Sequence, residues 1–213
     1  MGFKLDKIYT RAGDKGFTYL IGNVKVSKAD LQVECYGTMD ELNANIGVIR
    51  TFALSYQEKA PKVASFSEEV FKVIQNDLFD MGSVLATARK KSSEKDAVKK
   101  LISNYAAEKT LTDNRTTYLE QQIDKMNEGL QPIPSFTLPG GGNLNAFAHV
   151  SRTVCRRLER LMVRWGLEDD QDYLILAYVN RLSDFLFVYS RWVCQELGEK
   201  EFLWQTPSVD GRS

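Results

Sequence analysis

Two arginines and a glutamate are spaced for one face of a helix: Arg152, Arg156 and Glu159. Apolar residues recur every three or four positions between 149 and 165, which predicts a partly buried helix. On a helix of about 3.6 residues per turn, offsets of four and seven stack these three side chains. Because a buried charge costs several kcal/mol unless it is paired, the arginines need either solvent or an anion. We predict that an anion binds this face; a solvated helix face is the alternative.

A short segment near the N-terminus has the composition of a phosphate-binding loop. Its glycines let successive N–H groups converge on an anion, its cations neutralise charge, and its carboxylate can hold a metal ion through water. Neither GxxxxGK[ST] nor GxGxxG occurs, so an ordinary tight turn is the alternative. The segment consists of Thr10, Arg11, Ala12, Gly13, Asp14, Lys15, Gly16, Phe17 and Thr18.

Motifs stand, in this order, at residues 7–16 (KIYTRAGDKG), 36–43 (YGTMDELN), 136–141 (FTLPGG), and 149–160 (HVSRTVCRRLER) together with 178–184 (YVNRLSD). With these motifs the chain resembles the PduO-type ATP:cob(I)alamin adenosyltransferases. The resemblance covers nearly all of residues 7–204. Residues 90–109 and the C-terminal tail carry no motif. Ala12 and the third glycine, Gly142, depart from the family pattern, which affects the details of the phosphate and cobalamin contacts.

The resemblance implies a reaction in which the protein supplies no nucleophile. Co(I) of reduced cobalamin attacks the ribose C5′ carbon of ATP in line and expels the whole triphosphate. The protein would then act by positioning and electrostatics, with Mg²⁺ bridging phosphate oxygens. The resemblance also implies an all-α, ferritin-like up-down bundle of five helices, assembled as a homotrimer with the sites between subunits.

Most of the expected ligand-binding residues come from the N-terminal loop and the arginine helix. Arg156, Lys28 and the loop are expected to stabilise the triphosphate, and arginine suits a bidentate phosphate contact better than lysine does. Glu159 and Asn180 would hold the nucleoside or orient Arg156. The set implied to bind ATP or cobalamin is Thr10, Arg11, Ala12, Gly13, Asp14, Lys15, Gly16, Thr18, Tyr19, Lys28, Arg156, Arg157, Glu159, Arg160 and Asn180.

Three further residues join Arg156 in the implied catalytic set. Asp40 and Arg152 would form an intersubunit pair that organises the site; the alternative is a surface ion pair worth ~0 to 1 kcal/mol. Phe136 would pack against the cobalt face opposite ATP and keep the lower ligand off. The resulting four-coordinate Co(II) is easier to reduce. The alternative for Phe136 is an aromatic anchor packed on the bundle.

Two functions from other classes stay open. A different helical ATP-using enzyme, such as a kinase, would release ADP rather than triphosphate, and a non-catalytic cobalamin escort would not consume ATP. A ferritin-like di-iron site is disfavoured because no Glu-x-x-His pair occurs. His149, the one histidine, is interpreted as neither a cobalt ligand nor a general base, because no second histidine or cysteine is spaced with it for a metal site.

Composition favours one cytoplasmic domain that binds neither nucleic acid nor membrane. At 213 residues the chain can bury one full core. Its 28 basic and 28 acidic residues balance, so no net charge attracts anionic partners. Three cysteines without a CxxC pair argue against a disulfide framework or zinc site. We expect one domain at 1–204 with the phosphate loop at 7–28, a flexible tail at 205–213, and as partners a reductase and an adenosylcobalamin-dependent enzyme.

Apolar spacing predicts five helices. The first starts at Thr38, with Glu41 completing a capping box, and runs to about Leu54. The others cover about 67–88, 113–128, 143–166 and 170–197, and glycines end several of them. Residues 89–100 are predicted to form a solvated linker.

Overall fold

The computed structural model describes residue 9 and residues 11–89 and 113–205. Within these ranges the chain forms five helices and two short strand pairs. The expected loop residue Thr10, the predicted linker from 90 onward and the tail from 206 onward lie outside the described residues. The elements are β1 (Phe17–Tyr19), β2 (Lys25–Ser27), α1 (Leu31–Leu54), α2 (Pro61–Leu85), α3 (Asp113–Asn127), β3 (Thr137–Leu138), α4 (Asn143–Trp165), α5 (Asp170–Leu197) and β4 (Phe202–Leu203).

Helix α1 begins at Leu31, so the predicted start at Thr38 is wrong. Asp30 caps the helix by accepting a 2.8 Å hydrogen bond from the amide two residues on. Thr38 is buried within the helix, and its predicted capping box with Glu41 does not form. Tertiary packing of the apolar face across this region outweighs the weak helix propensity of Gly37.

Helix α2 covers Pro61–Leu85 instead of the predicted 67–88. Proline suits the first turn of a helix because the N–H that it lacks would have no partner there. At the other end, residues 86–88 leave the helix and bond to Ile21: its amide donates to the Ala86 carbonyl at 2.9 Å, and its carbonyl accepts from the Ala88 amide at 2.9 Å. This bridge fixes the N-terminal hairpin to the end of α2.

Arg89 is half-buried, so its predicted place in a solvated linker is wrong. Its guanidinium carbon lies 3.3 Å from the centre of the Trp165 ring, which is a cation–π contact. It also donates to the Asp172 carboxylate at 2.5 Å and to the Gly166 carbonyl at 2.6 Å. Arg89 therefore ties the end of α2 to the connection between α4 and α5.

The remaining three helices confirm the predicted pattern. Helices α3 and α4 each end one residue earlier than expected, and α5 matches its predicted bounds. Gly198 closes α5 in the left-handed conformation, with φ of 65°, as expected of a C-terminal glycine.

The helices pack into the expected bundle around one core. Helix α4 packs against α1 and α5, α1 also packs against α2, and α3 packs against α5. The rings of Phe71, Phe185 and Tyr189 meet edge-on or stacked at the centre. Among the described residues, no helix has the length and apolar character needed to cross a membrane.

Two strand pairs accompany the helices of the bundle. Neither pair was predicted from the sequence. Strands β1 and β2 form an antiparallel hairpin that begins at the end of the glycine-rich segment. Strands β3 and β4 pair antiparallel, with Leu138 opposite Phe202. This second pair brings the chain after α5 back across the start of α4.

Candidate active site

The face predicted on α4 forms as expected, and its residues have different surroundings. Arg152 is half-buried, Arg156 is exposed, and Glu159 is half-buried. Glu159 accepts a 2.9 Å hydrogen bond from the Asn180 amide on α5. Glu159 and Asn180, which were expected to act together, are therefore in contact.

Neither arginine of this face has an acidic partner among the described residues. The ion pairs of α4 involve Arg157 instead, which binds Glu41 on α1. Burial, and then the charge of Arg156, lower the pKa of Arg152. Two neighbouring cations with no carboxylate partner in the described part of the chain can attract an anion.

His149 contacts Arg152 directly. The Arg152 Nε donates to His149 Nδ1 at 3.3 Å. The other ring nitrogen, Nε2, lies 3.2 Å from Ser190 Oγ on α5, and that hydroxyl donates to the Phe187 carbonyl at 2.7 Å. Burial, and then the charge of Arg152, lower the pKa of His149 to about 4, so the ring is neutral near pH 7.

Arg157 points away from Arg152 and Arg156, and Arg160 is exposed to solvent. Arg157 is paired with Glu41 across the groove between α1 and α4. Arg160 is exposed and donates to the Arg156 carbonyl at 3.2 Å. Their expected role in ligand binding stays a prediction.

The N-terminal loop is a series of tight turns. The Gly16 amide donates to the Gly13 carbonyl at 3.2 Å, and the Lys28 amide donates to the Gly16 carbonyl at 2.9 Å. Arg11 has φ of 61°, a conformation that costs about 1 to 3 kcal/mol for a non-glycine residue and is typical of functional loops. A Cβ at Gly13 would lie 2.9 Å from the Lys28 ammonium nitrogen. The Lys28 side chain therefore packs against the backbone of the loop.

The other expected loop residues surround this turn. Asp14, Lys15 and Tyr19 are exposed, and Thr18 is half-buried. Burial raises the pKa of Tyr36 on α1, and a hydrogen bond with Thr18 opposes the shift. Ala12 is exposed.

Asp40 lies in a different groove from Arg152. It lines a cavity between α1, α2 and the N-terminal hairpin, together with Ile21 and Phe79, and Phe79 is 69% exposed. Arg152 lies instead where α4 meets α5. The two residues are not paired within one chain.

Phe136 is held by its backbone and leaves its ring in solvent. The Trp204 amide donates to the Phe136 carbonyl at 2.7 Å, while the ring is 80% exposed. Within one chain the ring therefore does not anchor the loop to the bundle. Leu138, Phe202 and Trp204 are also 42–45% exposed; we call these three and Phe136 the apolar ribbon.

The glycine loop before α4 makes room for the chain after α5. A Cβ at Gly141 would lie 2.2 Å from the Lys200 carbonyl oxygen, and one at Gly142 would lie 1.8 Å from a Glu199 carboxylate oxygen. Burial raises the pKa of Glu199, and a hydrogen bond from Tyr56 opposes the shift. The third glycine, a departure from the family pattern, thus has a steric reason here.

Sequence reasoning missed the contributions of three residues near the candidate site. Phe202 and Trp204 are aromatic residues just beyond the end of α5, and that composition was the available signal. His149 was considered only as a metal ligand or base. Its hydrogen bond to Arg152 spans three residues on one helix, a spacing at which side chains can meet.

The chain is similar to known proteins over most of its length. The family model described as cobalamin adenosyltransferase matches residues 8–193. The bovine corrinoid adenosyltransferase MMAB is 37% identical over 210 residues, covering 99% of this chain and 80% of the relative. The corrinoid adenosyltransferase of Bacillus subtilis is 35% identical over 187 residues, covering 88% of this chain and 86% of the relative.

Solved structures give the same result. A variant PduO-type ATP:corrinoid adenosyltransferase from Lactobacillus reuteri, complexed with cobalamin and ATP, superposes with a TM-score of 0.72 at 31% identity, covering 94% of this chain and all of the other. Because the family model, the curated relatives and the solved structures all match over most of its length, the chain belongs to the cobalamin adenosyltransferase family.

Proposed function

We propose that this protein transfers the 5′-deoxyadenosyl group of ATP to cob(I)alamin, giving adenosylcobalamin and triphosphate. The observation that carries the proposal is the pair Arg152 and Arg156, which lie on one helix face without a carboxylate partner among the described residues. A cationic face of this kind suits a substrate that leaves as a polyanion.

The chemistry requires orientation rather than an acid or base. The Co(I) electron pair forms the Co–C bond as the C5′–O bond breaks, and triphosphate leaves with the bonding electrons. The protein lowers the barrier by holding C5′ in line with cobalt and by stabilising charge on the leaving group. The reaction therefore needs no proton transfer from His149. The ring is neutral and hydrogen-bonded on both nitrogens.

The triphosphate would be held between the α4 arginines and the N-terminal loop. Lys28, gathered against Gly13, and the exposed Lys15 and Arg11 supply further positive charge. Among the described residues, no cluster of three His, Cys, Asp or Glu side chains could bind a metal ion. Mg²⁺ would be bound mainly by phosphate oxygens, with Asp14 the loop carboxylate that can reach it through water.

Cobalamin would lie against the apolar ribbon. Phe136 exposes 80% of its surface on a backbone fixed by Trp204, so the ring is presented to a ligand without rearrangement of the bundle. Placed on the lower face of cobalt, it would exclude water and the nucleotide base, which favours four-coordinate Co(II) and its reduction.

The active assembly would be a homotrimer with sites between subunits. Asp40 and Arg152 lie in different grooves of one chain, so an ion pair between them requires two chains. The exposed Phe79 and Ile21 beside Asp40 supply apolar surface for such an interface. The one-domain division at 1–204 is part of the same proposal.

The enzyme would work in the cytoplasm with a reductase and an enzyme that uses adenosylcobalamin. Cys35, Cys155 and Cys194 are all free thiols and all buried, in keeping with a reducing compartment.

Anaerobic incubation with ATP, Mg²⁺ and chemically reduced cobalamin tests the proposal. We expect the corrinoid spectrum to change to that of adenosylcobalamin, with one triphosphate formed per corrinoid converted. Release of ADP would instead indicate phosphoryl transfer. Cobalamin binding without ATP consumption would indicate an escort, and either result would overturn the proposal.

A further inference from the structure

The side chain of Arg152 is the first member of a hydrogen-bonded series that crosses from α4 to α5. Arg152 Nε lies 3.3 Å from His149 Nδ1, His149 Nε2 lies 3.2 Å from Ser190 Oγ, and Ser190 Oγ lies 2.7 Å from the Phe187 carbonyl. His149 is 2% exposed and Ser190 is fully buried. The series therefore connects a half-buried arginine to the backbone of the neighbouring helix.

The chemistry of the groups gives the series one direction. Arginine can only donate, so His149 Nδ1 must be the acceptor. The ring proton is then on Nε2, which donates to Ser190 Oγ, and the serine hydroxyl donates to the Phe187 carbonyl. Each proton meets an acceptor, which is the condition for a stable buried polar network.

The guanidinium of Arg152 is thereby fixed at one end. The bond to His149 uses Nε and leaves both terminal amino groups available. Those two groups make no hydrogen bond to any other described residue. A side chain held at Nε presents the planar fork that binds a carboxylate or phosphate in two places.

We propose that His149 is a positioning residue for Arg152 in adenosyl transfer: as the Nε2–H tautomer, backed by Ser190, it fixes Nε of the guanidinium and aims the terminal amino groups at their partner. This role rests on the proposed function, because Arg152 is predicted to organise the site. With its side chain buried, His149 would act through Arg152 and not by contact with either substrate.

The tautomer can be measured directly, because the chain has one histidine. A long-range ¹H–¹⁵N spectrum of the full-length protein at neutral pH should show a pyridine-type Nδ1 and a pyrrole-type Nε2. In Ser190→Ala the preference should weaken toward a mixture of tautomers. A protonated Nδ1 in the wild-type protein would overturn the proposal.

Two amide substitutions separate positioning from packing. In His149→Asn the side-chain oxygen can occupy the place of Nδ1 and accept from Arg152. In His149→Gln the amide reaches the place of Nε2 and keeps the contact with Ser190. If His149 positions Arg152, the turnover number of His149→Gln should be about tenfold lower, as expected for a lost hydrogen bond to a charged group. The turnover number of His149→Asn should fall less. KM for ATP should change less than twofold in either.

If His149 only fills space, His149→Gln should lose less turnover than His149→Asn, because glutamine is nearer to histidine in volume. Equal losses, or a greater loss in Asn, would overturn the proposal. In an Arg152→Lys background, where the Nε donor is gone, the two variants should have equal turnover; a persistent difference would also contradict it. If the wild-type protein forms no adenosylcobalamin, the proposed function fails, and the spectrum still decides whether His149 holds Arg152.

Discussion

Arg152 and Arg156 lie one helical turn apart on α4, and their burial and hydrogen bonding differ. Arg152 is half-buried and hydrogen-bonded to a neutral histidine, so its position is restrained. Arg156 is exposed and has no acidic partner among the described residues. The first suits an organising role and the second direct contact with a flexible polyanion.

Substitution of Arg156 with alanine should weaken ATP use. Loss of one hydrogen bond to a charged group costs about 1.5 to 3 kcal/mol, so kcat/KM for ATP should fall by roughly ten- to a hundredfold. The melting temperature should be nearly unchanged, because the side chain is exposed. Arg164→Ala, at an exposed position in the last turn of α4, is the control. Unchanged ATP kinetics in Arg156→Ala would remove the central residue of the proposed triphosphate site.

Substitution of Phe136 with alanine should act on cobalt rather than on ATP. The smaller side chain lets water or the nucleotide base stay on Co(II), which disfavours reduction. Activity from cob(II)alamin with a mild reductant should fall much further than activity from cobalamin already reduced to Co(I), and KM for ATP should be largely retained. Tyr173→Ala, which removes another exposed aromatic ring, is the control. Equal losses in the two assays would contradict this role.

The buried His149 should make the protein less stable at acid pH. Its pKa is about 4 in the folded state, against an ordinary 6.5. Between these two pH values the unfolded chain binds a proton at this histidine and the native state does not. Stability is therefore full above pH 6.5 and falls as the pH drops to 4, by about 3 kcal/mol in all. Urea unfolding at fixed protein concentration should show this loss relative to His149→Asn. Parallel pH curves for the two proteins would refute it.

At the scale of elements, the crossing of the post-α5 segment over the start of α4 depends on two adjacent glycines. Gly142 has φ of −163°, which any residue can adopt, so its requirement is purely steric. Gly141 has φ of 111°, which disfavours any side chain, and its obstacle is the backbone carbonyl of Lys200.

The two glycines should therefore respond differently to a second substitution. Gly142→Ser should destabilise the protein by driving its Cβ into the Glu199 carboxylate. Glu199→Ala should largely restore stability, and the serine could then cap α4, which has no side-chain cap now. Gly141→Ser should not be restored by Glu199→Ala. Thermal unfolding of the singles and doubles decides this, and rescue of both glycine variants, or of neither, would contradict the steric assignment.

At the scale of the whole molecule, Asp40 lies in a groove beside α2 and the arginine face lies beside α5; in the proposed trimer each would supply one half of a site. The Arg157 and Glu41 pair already joins α1 to α4 within the chain, and at nearly half exposure it contributes little stability. An acidic half-site and a basic half-site on separate surfaces suit assembly around a symmetry axis.

Exchange of charge between Asp40 and Arg152 tests that assembly. Each of Asp40→Arg and Arg152→Asp should reduce turnover more than tenfold, and the double variant should recover part of the loss, because an intersubunit ion pair is restored in reverse. Sedimentation should show a trimer for the wild-type protein. Strictly additive losses in trimeric variants would show that the two residues do not meet.

The sequence determined the helical bundle and the arginine face. Apolar residues at helical spacing place α3, α4 and α5 almost to the residue, since that periodicity directly reflects which side is buried. The spacing of Arg152, Arg156 and Glu159 likewise fixes a shared face, because it depends on local geometry alone.

Only the tertiary structure decided the contacts between segments distant along the chain. The start of α1 at Leu31, the β3–β4 pair and the stacking of Arg89 on Trp165 all depend on partners that local pattern does not encode. The same holds for His149, whose interpretation depended on what faces each ring nitrogen. One partner is three residues away on its own helix and the other is on α5. Packing of α4 against α5 brings the second partner into place, so the histidine's own segment could indicate the contact with Arg152 but not the contact with Ser190.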